Sequence, residues 1–384
     1  MAAPATSASR IALLGGGIFA REFYLPVLAK STEVVLDSIW SRSQASVDGM
    51  LKACSAVGLS PQAFVGAEGF EQLLKREEIK GVIMALSITS HPDYILRCLE
   101  AGKSVMSEKP IAKDVETAKQ LIAIYEKKYQ PRGLDWRIAE NFTHEPILWK
   151  ARDILKDPAL GPVLYWQLAQ EICCPDGNPW HATEWRNIPD YQGGFILDGG
   201  VHNAALLRAV LPDLPERIIS VATLHRSHLP PHDTVMGLAL AAKSAAKKPY
   251  GRDIGDISRI PVKPGLSSPT GTITMTWAAP DTKPNGRLVL HVACLNGKVL
   301  IEFEDGIFSV KTVPAAGSAV KEQLFEGPHT GVAVEVDMFG RAIRNAGSEE
   351  HYGHPRDATW DLAVIQALVS SDGKEVDLPT LVGK

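Results

Sequence analysis

From residue 10 to about residue 140 the chain alternates short apolar runs with stretches of helical period. The runs Ile11–Leu14, Val34–Trp40, Gly81–Leu86, Ser104–Ser107 and Arg137–Glu140 are too short for helices and predict buried strands. Between them, Arg21–Lys30, Phe70–Arg76, Asp93–Ala101 and Val115–Tyr129 carry helical patterns. This alternation predicts a parallel sheet with helices on both faces. Pro26 lacks an N–H and predicts that the first helix is short or kinked. Beyond Asn141 the pattern changes. One helix, Pro146–Leu155, precedes strands with alternating or β-branched residues at Val163–Ile172, Arg217–Leu224, Thr234–Ala241, Gly271–Trp277, Arg287–Cys294, Lys298–Phe303 and Ile307–Val310. Short turns such as Leu295-Asn296-Gly297-Lys298 join them, as in an antiparallel sheet.

Three motifs add chemistry to this frame. The first strand runs into Gly15-Gly16-Gly17-Ile18-Phe19-Ala20, a Gly-x-Gly-x-x-Ala turn that opens a helix. This is the context of a dinucleotide fingerprint. Gly15 permits the tight turn, Gly17 lets backbone approach a pyrophosphate, and Ala20 lets the helix pack close to the strand. The expected fold is α/β: an N-terminal Rossmann dinucleotide-binding domain over residues 1–140, and a C-terminal α+β domain over 141–384 with a large, mostly antiparallel open sheet. Glu108-Lys109-Pro110 ends the fourth predicted strand. Ligands of open parallel sheets bind outside the carboxyl ends of the strands, so Lys109 is held over the ligand crevice. In Gly193-Gly194-Phe-Ile-Leu-Asp198-Gly199-Gly200-Val-His202, a helix after Gly194 puts Asp198 and His202 at i and i+4, on one face.

In this order and at these separations the motifs resemble the glucose–fructose oxidoreductase / inositol dehydrogenase / MocA (Gfo/Idh/MocA) family. The resemblance covers nearly the whole chain. It includes Gly81-Val-Ile-Met-Ala-Leu ahead of His91, Ala101-Gly102-Lys103, Ala139-Glu140-Asn141-Phe142, Trp185-Arg186, and a helix at Pro355 to Ser370. It looks closest to NADP-dependent eukaryotic members with Gly-Ile-Phe-Ala-Arg and Asp-Gly-Gly-Val-His. The resemblance implies that Lys109, Asp198 and His202 line an active site, and that the open face of the C-terminal sheet makes a dimer interface. Leu86-Ser87-Ile88-Thr89 departs from the Pro-Asn of many relatives, which leaves the cofactor contacts there open.

The expected chemistry is hydride transfer between NADP(H) and a small sugar, polyol or carbonyl compound. Lys109 would stabilise charge on the reacting oxygen. His202 would give or take the proton, since an imidazole titrates near neutrality. Asp198 would orient His202 or bind a substrate hydroxyl. Cofactor contacts are expected from Gly15, Gly17, Ile18, Phe19, Ser41, Arg42, Ser87, His91, Glu108, Lys109 and Asn141. Substrate contacts are expected from Lys109, Trp180, Trp185, Arg186, Asp198 and His202, although a Trp in the 180–186 stretch reads equally as packing between domains. The second strand ends in Ser41-Arg42-Ser43 without an acidic residue at its tip, which suits a ribose 2′-phosphate better than a 2′-hydroxyl. Two competing readings share the fold: a non-catalytic NADP-binding regulator, and an enzyme that uses the cofactor in a transient redox step.

Composition narrows the classes. A chain of 384 residues is too long for one compact core. Its 45% hydrophobic and 22% charged content is that of a soluble globular protein, and a net charge of −4 argues against a nucleic-acid partner. The cysteines at 54, 98, 173, 174 and 294 show neither a disulfide framework nor zinc spacing, and no metal is expected. His225, His228 and His232 are separated by Pro230-Pro231 and read as loop histidines. Residues 242–268, with Lys243, Lys247, Lys248, Arg252, Arg259 and Lys263 diluted by Asp253 and Asp256, read as a solvated insertion. No apolar run of about eighteen residues predicts a membrane span. With no signal peptide read at the start, the expected compartment is the cytoplasm.

Overall fold

The computed structural model describes residues 8–251, 265–281, 286–345 and 352–383. Six parallel strands form the first sheet: β1 (Ser9–Leu14), β2 (Val34–Ser41), β3 (Gln62–Val65), β4 (Gly81–Met84), β5 (Ser104–Glu108) and β6 (Trp136–Ala139). Their order, β3-β2-β1-β4-β5-β6, reverses direction at β1 and β4. That is the topological switch point at which such sheets bind ligands. β1 and β4 are buried almost throughout, because helices cover both faces of a parallel sheet.

Five strands and most helices fall where the periodicity predicts, and three differences have local causes. β3 is a four-residue edge strand with one buried side chain, too weak a pattern to read. The helix Gln44–Ala56 buries only Val47, Met50 and Cys54. The segment after the glycine loop is no regular helix: a π-turn over Ala20–Tyr24 passes into a short α-helix, Leu25–Leu28. Pro26 cannot supply the N–H that a continuous α-helix requires, and the wider turn absorbs the mismatch.

The chain divides into two compact units, Met1–Pro146 with Asp176–Leu206 and Thr330–Gln366, and Ile147–Pro175 with Leu207–His329 and Ala367–Lys384. The first unit thus takes two segments from beyond residue 141. One carries the helix Gly331–Arg344, which buries Val332, Val336 and Phe339 in the core shared by Ile11, Leu13, Leu25 and Ile39. Gly340 lets this helix approach the chain entering β2, since a Cβ there would lie 2.8 Å from the Glu33 carbonyl oxygen.

The second unit contains a nine-stranded sheet: β7 (Val163–Glu171), β8 (Arg217–Thr223), β9 (Thr234–Leu240), β10 (Thr270–Thr276), β11 (Arg287–Cys294), β12 (Gly297–Glu304), β13 (Ile307–Pro314), β14 (Gln323–Pro328) and β15 (Val376–Asp377). The order is β14-β13-β12-β11-β7-β10-β9-β8-β15, and only the β7/β10 pair is parallel. One face buries Trp166, Leu168, Ile273, Leu290 and Ile301, while Tyr165, Val221, Met236 and Leu238 stay exposed. In the insertion, Lys247 and Ser267 exchange backbone hydrogen bonds of 2.8 Å. Arg252, Asp253, Asp256, Arg259 and Lys263 lie outside the described residues. His225 and His228 bond to the Thr223 hydroxyl and the Cys174 carbonyl. Among the described residues no helix is long and apolar enough to cross a membrane.

The helix Gly331–Arg344 is anchored by Glu145. This fully buried carboxylate accepts from the Thr330 N–H at 3.0 Å and the Gly331 N–H at 2.5 Å. It serves backbone donors that the helix itself leaves unpaired. Glu145→Ala should therefore cost about 1–3 kcal/mol of stability. Urea unfolding measures this, and an unchanged midpoint would show that the anchor carries no weight.

Candidate active site

A cavity of about 460 Å³ opens at the carboxyl ends of β1, β2, β4 and β5. Its floor is the glycine loop. Gly15 adopts φ +103°, and a Cβ there would meet the Ala85 carbonyl oxygen at 2.1 Å. Only glycine fits both the conformation and the space. Gly17 has nothing within 4 Å of a hypothetical Cβ and presents bare backbone. Ile18, Phe19, Ser41, Arg42 and Ser87 line the same cavity. The Ser41 and Ser46 hydroxyls bond at 2.9 Å, and Ser43 caps the helix Gln44–Ala56, so Arg42 stands exposed between two anchored serines.

At the other end, β5 delivers Lys109, joined to Pro110 by a cis peptide. Lys109 Nζ donates to the Asp198 carbonyl oxygen at 2.6 Å and to Asp198 Oδ1 at 3.0 Å. Asp198 lies on the helix Gly194–Val210, and its Oδ2 accepts from Arg186 Nε at 2.7 Å. The Arg186 guanidinium lies 3.9 Å from the Trp185 ring centroid and 5.3 Å from that of Trp180, and donates to the Thr183 hydroxyl. Burial pushes the Asp198 carboxyl up. The Lys109 ammonium and Arg186 guanidinium overcome this and hold it well below the usual range.

Asp198 and His202 do share a helix face, but Asp198 does not orient His202. Its carboxylate is taken by the two cations, and Glu140, at the end of β6, accepts from His202 Nδ1 at 2.7 Å. The imidazole also stacks on Phe142, ring centroids 4.9 Å apart. Glu108 is buried behind Lys109 and accepts from the Tyr24 hydroxyl at 2.6 Å. Burial, opposed by Lys109, pushes its carboxyl up to about 7.

Two expected cofactor contacts lie behind the cavity wall. His91 is fully buried, with Nε2 3.1 Å from the Leu86 carbonyl oxygen. It braces the chain leaving β4, and burial lowers its pKa to about 4. Asn141 is buried in the turn Asn141–His144. Neither lines the cavity. Conversely, Phe23, Ser46 and Thr183 line it without having been expected there, and Glu140 and Tyr24 stand behind its working groups. The i, i+4 spacing of Phe19 and Phe23, whose rings stack at 4.8 Å, is the signal that marks Phe23. Among the described residues no group of three or more His, Cys, Asp or Glu side chains could hold a metal ion.

A glycine loop at the switch point of a Rossmann sheet, with a lysine and a histidine in one cavity, defines a nucleotide-dependent oxidoreductase. Comparisons with known proteins agree. Residues 9–131 match the family described as oxidoreductase, NAD-binding Rossmann fold. The chain is 28% identical to the dehydrogenase FPY6 of Fusarium mangiferae over 377 residues, 94% of this chain and 95% of that protein. An oxidoreductase structure from Thermotoga maritima superposes with a TM-score of 0.78 at 25% identity, covering 97% of this chain and 99% of that one. A 3-ketoreductase from Actinomadura kijaniata, in complex with NADP and TDP-benzene, superposes at 0.71 with 18% identity, covering 96% and 98%. Over residues 9–131 the chain carries the Rossmann segment of the Gfo/Idh/MocA family of oxidoreductases.

The Asp198 bridge has a consequence for stability. A carboxyl held below its unfolded value contributes stability that is fully present above about pH 4 and is lost as pH falls further. Asp198→Asn leaves two partly buried cations without their counter-charge and should cost about 3–5 kcal/mol at neutral pH. The variant's stability should also fall less steeply than the native protein's below about pH 4. Unfolding curves at neutral and acid pH test this, and parallel pH profiles would show that the bridge is uncoupled from folding.

Proposed function

We propose that this oxidoreductase transfers a hydride between NADP(H) and a C–OH or C=O group of a small sugar, polyol or carbonyl compound, with Lys109 and His202 at the reacting oxygen. The single observation that carries the reading is the convergence of Lys109, the Asp198–Arg186 pair and the Glu140–His202 pair on the cavity that contains the glycine loop. A relative in Streptomyces violaceoruber, a dTDP-3,4-didehydro-2,6-dideoxy-alpha-D-glucose 3-reductase 30% identical over 63% of this chain, supports a sugar-like substrate. The exposed apolar face of the nine-stranded sheet supports a homodimer as part of the same reading.

Bound nicotinamide supplies the hydride chemistry, and the chain supplies placement and proton transfer. Lys109 uses two hydrogens on Asp198, which leaves a third for the oxygen on which charge develops. Glu140 fixes Nδ1 of His202 and leaves Nε2 to exchange a proton with that oxygen. Trp180, Trp185 and Arg186 form the wall against which the rest of the substrate is placed.

Arg42 accounts for the choice of cofactor. Asp37, the only acid on β2, is 3.0 Å or less from Arg10 and Arg76, which keeps it from the ribose. The strand tip offers a guanidinium and hydroxyls instead, groups suited to a 2′-phosphate.

Lys109→Met and His202→Ala should each lower turnover by about a hundredfold or more, while NADPH still binds, because the glycine loop is untouched. Stopped-flow turnover with a panel of sugars, polyols and aldehydes, beside NADPH titration, measures both; near-native turnover in either folded variant would refute the assignment. NADPH should bind more tightly than NADH. Arg42→Ala should weaken NADPH roughly ten- to a hundredfold and leave NADH nearly unchanged. Equal affinities in the native protein, by fluorescence titration, would sink the preference.

A further inference from the structure

Phe23 lines the reaction cavity and takes no part in the chemistry above. The Leu25 N–H bonds to the Ala20 carbonyl, five residues back, and this π-turn gives two neighbouring rings opposite surroundings. Tyr24 is fully buried and donates to Glu108, whereas Phe23 is 36% exposed. Single π-turns of this kind recur at functional sites. The Phe19 ring lies nearly parallel to that of Phe23, centroids 4.8 Å apart, and meets Tyr24 edge-on at 5.3 Å. Phe19 thus braces Phe23 against the core. Trp180 comes from a separate segment, with its ring centroid 6.5 Å from that of Phe23. Its backbone is fixed at both ends, the N–H by the Asn178 side chain at 2.9 Å and the carbonyl by the Thr183 hydroxyl at 2.7 Å.

Both parts of this aromatic wall are tied to Lys109. On one side, the Tyr24 hydroxyl holds Glu108, the residue before Lys109, at 2.6 Å. On the other, the Trp180 ring lies 5.3 Å from the Arg186 guanidinium, which holds Asp198 at 2.7 Å, and Asp198 accepts from Lys109 at 3.0 Å. The cavity therefore combines a rigid aromatic surface with an ammonium, a guanidinium and a carboxylate. Few small molecules match both. A closed sugar ring has C–H faces for the aromatic surface and a rim of hydroxyls for the charged groups. An open-chain polyol has the hydroxyls without a fixed face, and loses more freedom when it binds. A plain hydrocarbon ring has the face, but it would desolvate the charged groups and return no hydrogen bonds.

We infer that Phe23, with Trp180, is the specificity-determining element of this site: the pair accepts the C–H face of a six-membered sugar ring and selects closed rings over open-chain sugars and polyols. The inference rests on the reading of the site as an NADP(H)-dependent oxidoreductase. A ring lying on the wall carries its hydroxyl-bearing carbons toward Lys109, because the wall and Lys109 are joined through Glu108 and through Asp198. Phe23 exchanges no proton and stabilises no charge. It acts by fit, so its loss weakens binding of rings and has no cause to alter the proton chemistry of His202.

Calorimetric titration of the full-length protein in the presence of NADP⁺ tests the inference. The probes are the methyl pyranosides of glucose, galactose, mannose and xylose, each beside its open-chain counterpart, sorbitol, galactitol, mannitol or xylitol. At least one pyranoside should bind about tenfold more tightly than its open-chain partner. Phe23→Ala and Trp180→Ala should each bring that pair to within about threefold of one another. Phe23→Tyr keeps the flat ring and should keep the preference. Phe23→Leu keeps apolar bulk without the flat face, and repeats the measurement if the alanine variant fails to fold. A native protein that prefers no pyranoside overturns the inference, as does a preference that survives in both alanine variants. Cyclohexanol binding as tightly as the best pyranoside overturns it too, since that ring has no rim of hydroxyls. So does a loss of NADPH affinity in Phe23→Ala as large as the loss of pyranoside affinity, which would assign the wall to the cofactor. If no pyranoside or polyol reduces NADP⁺, the reading of the reaction fails, and the calorimetry still decides whether Phe23 and Trp180 select a ring.

Discussion

A carboxylate cannot stay ionised inside a protein unless cations or donors replace its water, and Asp198 meets that demand from both sides. Lys109 takes one oxygen and Arg186 the other, so a strand end, a helix and the turn before that helix are held to one point. Such an arrangement does not guarantee stability, because desolvating three charges offsets much of their attraction. What it fixes is position. Lys109 would otherwise be a flexible chain of four methylenes; with two hydrogens committed to Asp198, its third has a defined direction.

The remaining carboxyl groups can be understood from the same constraint. Glu108, Glu140, Glu335 and Asp198 are all buried, and they differ in what faces them. Asp198 has two cations and is charged; Glu140 has an imidazole and an N–H; Glu108 has a phenol and a lysine behind it; Glu335 has other acids and the His144 imidazole 3.7 Å away. Neighbours, more than residue type, therefore decide which acids carry charge and which carry protons. In the proposed reaction, that separation lets one small site contain both charge stabilisation and proton transfer.

Much of this was legible in the sequence where the signal is local. Alternating runs give the parallel sheet; Gly15 and Gly17 give the loop; Glu108-Lys109-Pro110 gives a strand end over the crevice. Spacing also put Asp198 and His202 on one helix face. It could not give their partners, because Arg186 approaches from the preceding turn and Glu140 from a strand 62 residues earlier in the chain. Pairings of that kind depend on topology, and periodicity does not record them. The helix Gly331–Arg344 is different: Val332, Val336 and Phe339 carry a readable helical spacing, and it is hidden only by following a long series of strands. β3 is weak for a physical reason, since an edge strand with one buried side chain has little pattern to show.

The two ends of the cavity are built on different principles. Around the glycine loop the determinant is steric: a Cβ at Gly15 would collide with the backbone after β4, so the loop's shape is set without charged groups. Around Lys109 and His202 the determinant is electrostatic, and each group depends on a partner from another element. Arg42 belongs to neither. It is exposed, it sits between serines that are themselves anchored, and Arg10 and Arg76 have already engaged the strand's acid. A side chain in that situation can change with little effect on the fold or the reacting end. On the proposed reading, cofactor preference is then a separable property of the strand tip, whereas the Lys109 and His202 end can change only as a set, because replacing Asp198, Arg186 or Glu140 alone removes a counter-charge from a buried or partly buried group.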